Sequence, residues 1–77
     1  MEFQKLQKII GDVLDIEPGE IAPETAFVED LGADSLDLFQ IVMEIEEEFK
    51  IQIPGEAVQQ IMTVGDAAEQ IRQTMSQ

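Results

Sequence analysis

Phe3, Leu6, Ile9, Ile10, Val13 and Leu14 recur at intervals of three and four, the spacing that lines one face of an α-helix. The same interval returns in Leu38, Ile41, Val42, Ile45 and Phe49, and again in Val64, Ala67, Ala68, Ile71 and Met75. No run of β-branched residues alternates long enough to call for a sheet. A chain of 77 residues without cysteine has no disulfide or thiolate metal site to support it. At this size a chain buries only about 60% of the surface its unfolded form exposes. The three apolar stripes must therefore meet in one light, aliphatic core, whose aromatic content is four Phe. An all-α fold with a single domain spanning residues 1–77 is expected.

The first helix is expected to end near Asp15, ahead of the Pro18–Gly19 turn signal. Thr63, followed three residues later by Asp66, reads as the N-cap of the last helix, a short-armed capping box. Between Pro54 and Met62 the helical signal lasts one or two turns, with Ala57, Val58 and Ile61 pointing inward. The connection "DIEPGEIAPETAFVEDLGA" is long for a compact domain. Its own apolar residues, Ile16, Ile21, Phe27, Val28 and Leu31, are expected to pin it to the core. Four helices and one long loop follow.

Seventeen acidic residues against four basic ones give a net charge of −13. Such a surface repels nucleic-acid phosphates and anionic lipid, and it is drawn to basic protein patches. It also repels itself, so stability should rise with added salt or divalent cations. The opening "MEFQKLQKII" alternates polar and apolar residues at helical spacing and has no continuous apolar region, which points to the cytoplasm rather than a membrane.

"GADSLD", residues 32–37, sets a serine between two aspartates at the start of the second helix. Asp34 is a good N-cap and Asp37 stands at the third helical position, both favourable against the helix dipole. Capping alone accounts for such a sequence in most proteins. It also leaves Ser35 in the first turn with its hydroxyl toward water, where free amides favour a covalently attached phosphate group. A nucleophilic role for Ser35 would need a base, and the chain has no histidine. Carboxylates are plentiful, yet a small helical bundle offers no evident cleft to desolvate them. On the second helix Leu36, Gln40, Met43 and Glu47 fall opposite the core stripe, with Phe39 on one flank and Glu44 and Glu48 on the other. Isolated exposed apolar side chains are ordinary. Beside Asp37, Glu46 and Glu47, Leu36 and Met43 also fit the apolar centre of an acid-rimmed contact with a partner.

"FVEDLGADSLD", followed by "IEEEF", "IPGEA" and "TVGDAAEQI", resembles the acyl carrier proteins of dissociated fatty acid synthases, essentially end to end. The resemblance implies an up-and-down four-helix bundle with a long loop between helices 1 and 2 and a short third helix. It implies a non-catalytic, monomeric carrier. Its Ser35 would hold 4′-phosphopantetheine from coenzyme A, installed by a phosphopantetheinyl transferase (holo-acyl-carrier-protein synthase). The thiol of that arm would bear the growing fatty acyl chain as a thioester, sheltered between the helices. Fatty acid synthase enzymes and acyltransferases with basic patches would read Asp34, Leu36, Asp37, Met43, Glu46 and Glu47. A weak divalent-cation site would fall at Glu29, Asp34 and Asp37. Gln40, Gln52, Gly55 and Gln59 stand where acids are frequent in that family, Lys50 thins a second acidic cluster, and Phe39 is bulkier than the usual aliphatic residue. Carriers for polyketide, lipopeptide or D-alanyl transfer share the pattern, and an acidic module for a basic partner is the reading outside the carrier class.

Overall fold

The computed structural model describes residues 2–75. Four helices form: α1 (Glu2–Leu14), α2 (Ser35–Phe49), α3 (Gly55–Gln60) and α4 (Val64–Met75). The first, second and fourth correspond to the three periodic stripes. Leu6, Ile9 and Ile10 of α1, Ile41, Val42 and Ile45 of α2, and Val64, Ala67 and Ile71 of α4 meet in one core. Leu38 and Phe49, at the ends of the α2 stripe, pack against it while partly exposed. Among the described residues no helix is long and apolar enough to cross a membrane.

The helix ends follow local chemistry. Beyond α1, Asp15 turns left-handed (φ 58°), and the Ile16 N–H reaches back to the Gly11 carbonyl at 3.0 Å. Lys50 does the same after α2 (φ 56°), with Ile51 donating to the Glu46 carbonyl at 3.1 Å. In both places the reversal satisfies carbonyls that the helix leaves open. Gly11 is required by the first reversal, since a Cβ there would lie 2.6 Å from the Ile16 carbonyl oxygen. At α4 the expected box is present: the Thr63 hydroxyl accepts the Asp66 N–H at 3.1 Å, and Asp66 Oδ2 accepts the Thr63 N–H at 3.1 Å. The same oxygen accepts the Met62 N–H at 3.0 Å.

Residues 15–34 connect α1 to α2 with one 3-10 turn, Pro18–Glu20. Side chains pin the connection as expected at Ile21 and Phe27, both buried, while Ile16 and Leu31 are half-buried. Val28 departs from expectation and is 61% exposed. Residues 27–31 form a turn in which successive side chains cannot all face inward; Phe27 takes the core and Val28 is left outside. Backbone bonds complete the attachment: Phe27 donates to the Met62 carbonyl at 3.0 Å, Val64 to Thr25 at 2.9 Å and Gly65 to Pro23 at 2.7 Å. Together they make an isolated antiparallel bridge between Ala26 and Thr63. The connection is thereby fastened to the junction of α3 and α4.

Between α2 and α3 the chain passes through an irregular segment, residues 51–54, in which Ile53 is buried. Six residues long and without a side-chain N-cap, α3 buries none of its own residues fully. Ala57 and Val58 are half-buried against the core, and Ile61 just beyond it is buried. So short a helix holds its shape through these tertiary contacts and not through propensity.

Candidate functional site

Three consecutive residues, Gly32, Ala33 and Asp34, deliver Ser35 to the surface. Gly32 is left-handed (φ 68°), a conformation glycine adopts without steric cost. That turn sends Ala33 into the core, where it is 3% exposed. Asp34 is then extended and caps α2: its Oδ1 accepts the Asp37 N–H at 2.9 Å, and Asp37 Oδ2 accepts the Asp34 N–H at 3.3 Å. The helical ladder opens with Leu38 donating to the Asp34 carbonyl at 3.0 Å. The Ser35 and Leu36 N–H groups precede that ladder and point out of the helix start. Ser35 is exposed, and its hydroxyl has no hydrogen-bond partner among the described residues.

Beside Ser35 lies an open cavity of about 440 Å³ between α2, α3 and the connection. Val28, Leu38, Phe39, Val58, Ile61 and Met62 make its walls largely apolar, and Glu29 and Gln59 join Ser35 at its polar edge. The expectation of a bundle without a cleft is therefore corrected, although this cleft is not lined by paired carboxylates. Its sequence signal was faint: Val28, Phe39 and Met62 are large apolar residues that no core stripe claims, and all three are exposed.

On the outward side of α2, Leu36, Met43 and Glu47 come together as expected, joined by Phe39, Gln40 and Glu44 around a shallow groove of about 350 Å³. Leu36 is 79% exposed and Met43 56%. Asp34 is exposed and Asp37 half-buried, and each uses one oxygen in the capping box. Glu46 sits apart. It is half-buried, and its Oε2 accepts the Ile53 N–H at 2.8 Å, so it fastens the segment that follows α2. A segment leaving a helix needs acceptors for its amides, but only the folded chain shows that Glu46 supplies one.

No group of three or more Asp, Glu, His or Cys side chains among the described residues is arranged to hold a metal ion. The constellation of Glu29, Asp34 and Asp37 is thus not assembled. Asp34 and Asp37 are turned toward each other's backbone, and Glu29 lies at the cavity edge. Asp66 has its carboxyl held below the ordinary aspartate range by the Met62 and Thr63 amides. It belongs to the α4 cap and lies outside the cavity at Ser35.

Ser35 thus presents an exposed hydroxyl at the start of α2, without a hydrogen-bond partner among the described residues, in a chain that has no histidine or cysteine. The phosphopantetheine attachment site family matches residues 4–71, and the chain belongs to that family. It is 44% identical over 72 residues to an acyl carrier protein of Clostridium acetobutylicum, covering 94% of each chain. Among solved structures it resembles a candidate acyl carrier protein from Mycobacterium tuberculosis (36% identity, TM-score 0.89, 94% and 96% of the two chains). It also resembles the thermally stable acyl carrier protein of Enterococcus faecalis (36% identity, TM-score 0.80, 95% and 92%). The protein is accordingly a non-catalytic carrier with phosphopantetheine as its prosthetic group. Its own residues fit that group: the hydroxyl is accessible, and the first-turn amides and helix dipole favour a phosphodiester there.

Proposed function

We propose that Ser35 is the attachment residue and that the whole chain, as one monomeric cytoplasmic unit, carries fatty acyl chains between the enzymes of fatty acid synthesis. The observation that carries the reading is the pairing of an exposed Ser35 with an apolar cavity at its foot. When bound, the prosthetic group supplies the thiol that this cysteine-free chain lacks. A phosphopantetheinyl transferase installs it from coenzyme A, and the base that takes the Ser35 proton belongs to that transferase.

The remaining residues serve delivery. Leu36 and Met43 form the apolar centre of the docking face, with Glu47 and the carboxylates of Asp34 and Asp37 around it. Capping does not remove the charge of those aspartates, so they still steer a basic partner. Steering speeds encounter, and a small, solvated contact keeps release fast. Glu46 contributes charge to that field while its geometry serves the fold. The cargo chain shelters against the apolar walls between α2 and α3.

Incubation with coenzyme A and a phosphopantetheinyl transferase should raise the mass by about 340 Da, that of the prosthetic moiety. Ser35→Ala should fold normally and gain nothing. An unmodified wild type, or a modified variant, would overturn the assignment.

A further inference from the structure

The lysines of the chain are Lys5, Lys8 and Lys50, and all of them lie toward the end of α2 away from Ser35. Lys50 caps the C-terminus of α2, and Lys5 Nζ lies 3.7 Å from Glu48 and 5.8 Å from the centre of the Phe49 ring. Lys8 borders a groove between α1 and α2 with Lys5, Glu44 and Glu48. At a rise of about 1.5 Å per residue, Glu48 stands about 20 Å along the helix from Ser35. Residues 9–49 contain no basic residue. Among the described residues, none that borders the Ser35 cavity or the outer groove of α2 carries an amine. Charge balance does not explain this distribution. Acids stand at both ends of α2, and Glu29, Asp34 and Asp37 near Ser35 have no lysine among them.

We propose that this placement protects the cargo: with every lysine gathered toward the far end of α2, the acyl thioester meets no lysine amine of its own carrier. This rests on the reading that Ser35 bears the acyl-carrying arm. A neutral lysine amine beside the thioester would attack its carbonyl carbon. A C–N bond would form and the C–S bond break, and the sulfur of the arm would leave as the thiol with the proton that the amine loses. The acyl chain would then be stranded on the carrier as an amide. Tethering makes the reaction intramolecular, since an arm anchored at Ser35 holds its thioester near the surrounding side chains at an effective concentration of about millimolar. Cysteine and histidine, which also take up acyl groups, are absent from the chain.

The test needs no partner enzyme, which separates protection of the thioester from charge matching at docking. Phosphopantetheinylated protein loaded with a butyryl group is held at pH 9, where an exposed lysine is about 4% free amine. Hydroxylamine then removes thioesters and spares amides, so intact mass counts the acyl groups that have moved to an amine. Gln59→Lys places an amine at the polar edge of the cavity, and Gln40→Lys places one in the outer groove. Gln4→Lys adds the same charge next to Lys5. All three positions are exposed, and circular dichroism verifies that the variants fold. At least one of Gln59→Lys and Gln40→Lys should hold roughly tenfold more hydroxylamine-resistant acyl than the wild type, while Gln4→Lys should match the wild type. Wild-type levels in both Gln59→Lys and Gln40→Lys overturn the proposal, as does equal conversion in Gln4→Lys. A wild type that strands its own cargo on Lys5, Lys8 or Lys50 overturns it too. Each of these results leaves the carrier assignment standing, since that fails only if Ser35 takes up no prosthetic mass.

Discussion

Glu46→Ala removes a carboxylate that stands among the acids of α2 but is turned to the fold. Its Oε2 accepts the Ile53 N–H at 2.8 Å, and Ile53 itself is 7% exposed. Hydrogen bonds to charged groups contribute about 1.5–3 kcal/mol. Glu46 is half-buried and water partly replaces what is lost, so we take the lower end, about 1.5 kcal/mol. In a domain of this size about 1 kcal/mol moves the melting midpoint by about 4–8 °C. The expected loss is therefore roughly 6–12 °C. Two effects push the other way: alanine is the better helix former, and one fewer acid relieves a net charge of −13. Glu47→Ala contains both of those effects and no lost bond, because the Glu47 side chain is exposed and makes no hydrogen bond among the described residues. The difference between the two variants in thermal melts at one salt concentration isolates the Glu46 contact, and Glu46→Gln should fall between them. Midpoints for Glu46→Ala and Glu47→Ala that agree within about 2 °C would refute the structural role.

Asp66→Asn should destabilise the protein by about 1 kcal/mol at neutral pH through the weakened α4 cap. The folded Asp66 pKa lies below its unfolded value of about 3.9, so the wild-type advantage is full above that value and disappears as pH falls through the folded pKa; urea midpoints that keep a constant difference down to pH 2 would contradict this. Raising salt from about 0.01 M to 1 M shortens the screening length from ~30 Å to ~3 Å and should lift the melting temperature. The two ion pairs among the described residues, Lys5–Glu48 and Arg72–Glu69, have exposed partners, so screening costs little attraction while relieving much repulsion; an unchanged or lower midpoint would count against the self-repulsion argument.

What the sequence disclosed was what local physics writes into it. The α2 face is legible because a 3.6-residue period fixes which side chains share a direction: Ile41, Val42 and Ile45 are buried while Leu36, Met43 and Glu47 are exposed. Both capping boxes are legible because their partners lie three residues apart. The connection is legible only in part. Ile21 and Phe27 betray themselves by apolarity, but Val28 does too, and hydropathy cannot say which of two neighbours a turn will bury. The bonds from Val64 to Thr25 and from Gly65 to Pro23 join backbone to backbone across the chain and leave no side-chain pattern to read. The cavity is nearly hidden for a similar reason, since it is space that Leu38, Val58 and Ile61 fail to fill, marked only faintly by Phe39 and Met62, which no core stripe claims.

The placement of that space decides what kind of carrier the fold can make. A chain entering the centre of the core would have to separate Leu6, Ile10, Ile45 and Ile71, which are fully buried there, at a cost in packing. At the margin, between α2 and a third helix that buries none of its residues fully, a chain can lie against apolar walls without disturbing the packed centre. On the proposed reading, sheltering about 100 Å² of chain at about 25 cal/mol per Å² contributes ~2.5 kcal/mol, which would keep the sheltered form roughly 70-fold more populated than the free one. That ratio guards the cargo in water, yet it is well below what an enzyme pocket burying the whole chain supplies. Docking can then draw the chain out without unfolding the carrier. The Asp34–Asp37 box that opens α2 shares none of its hydrogen bonds with the cavity walls, so on the proposed reading the attachment point at Ser35 keeps its place while the chain moves.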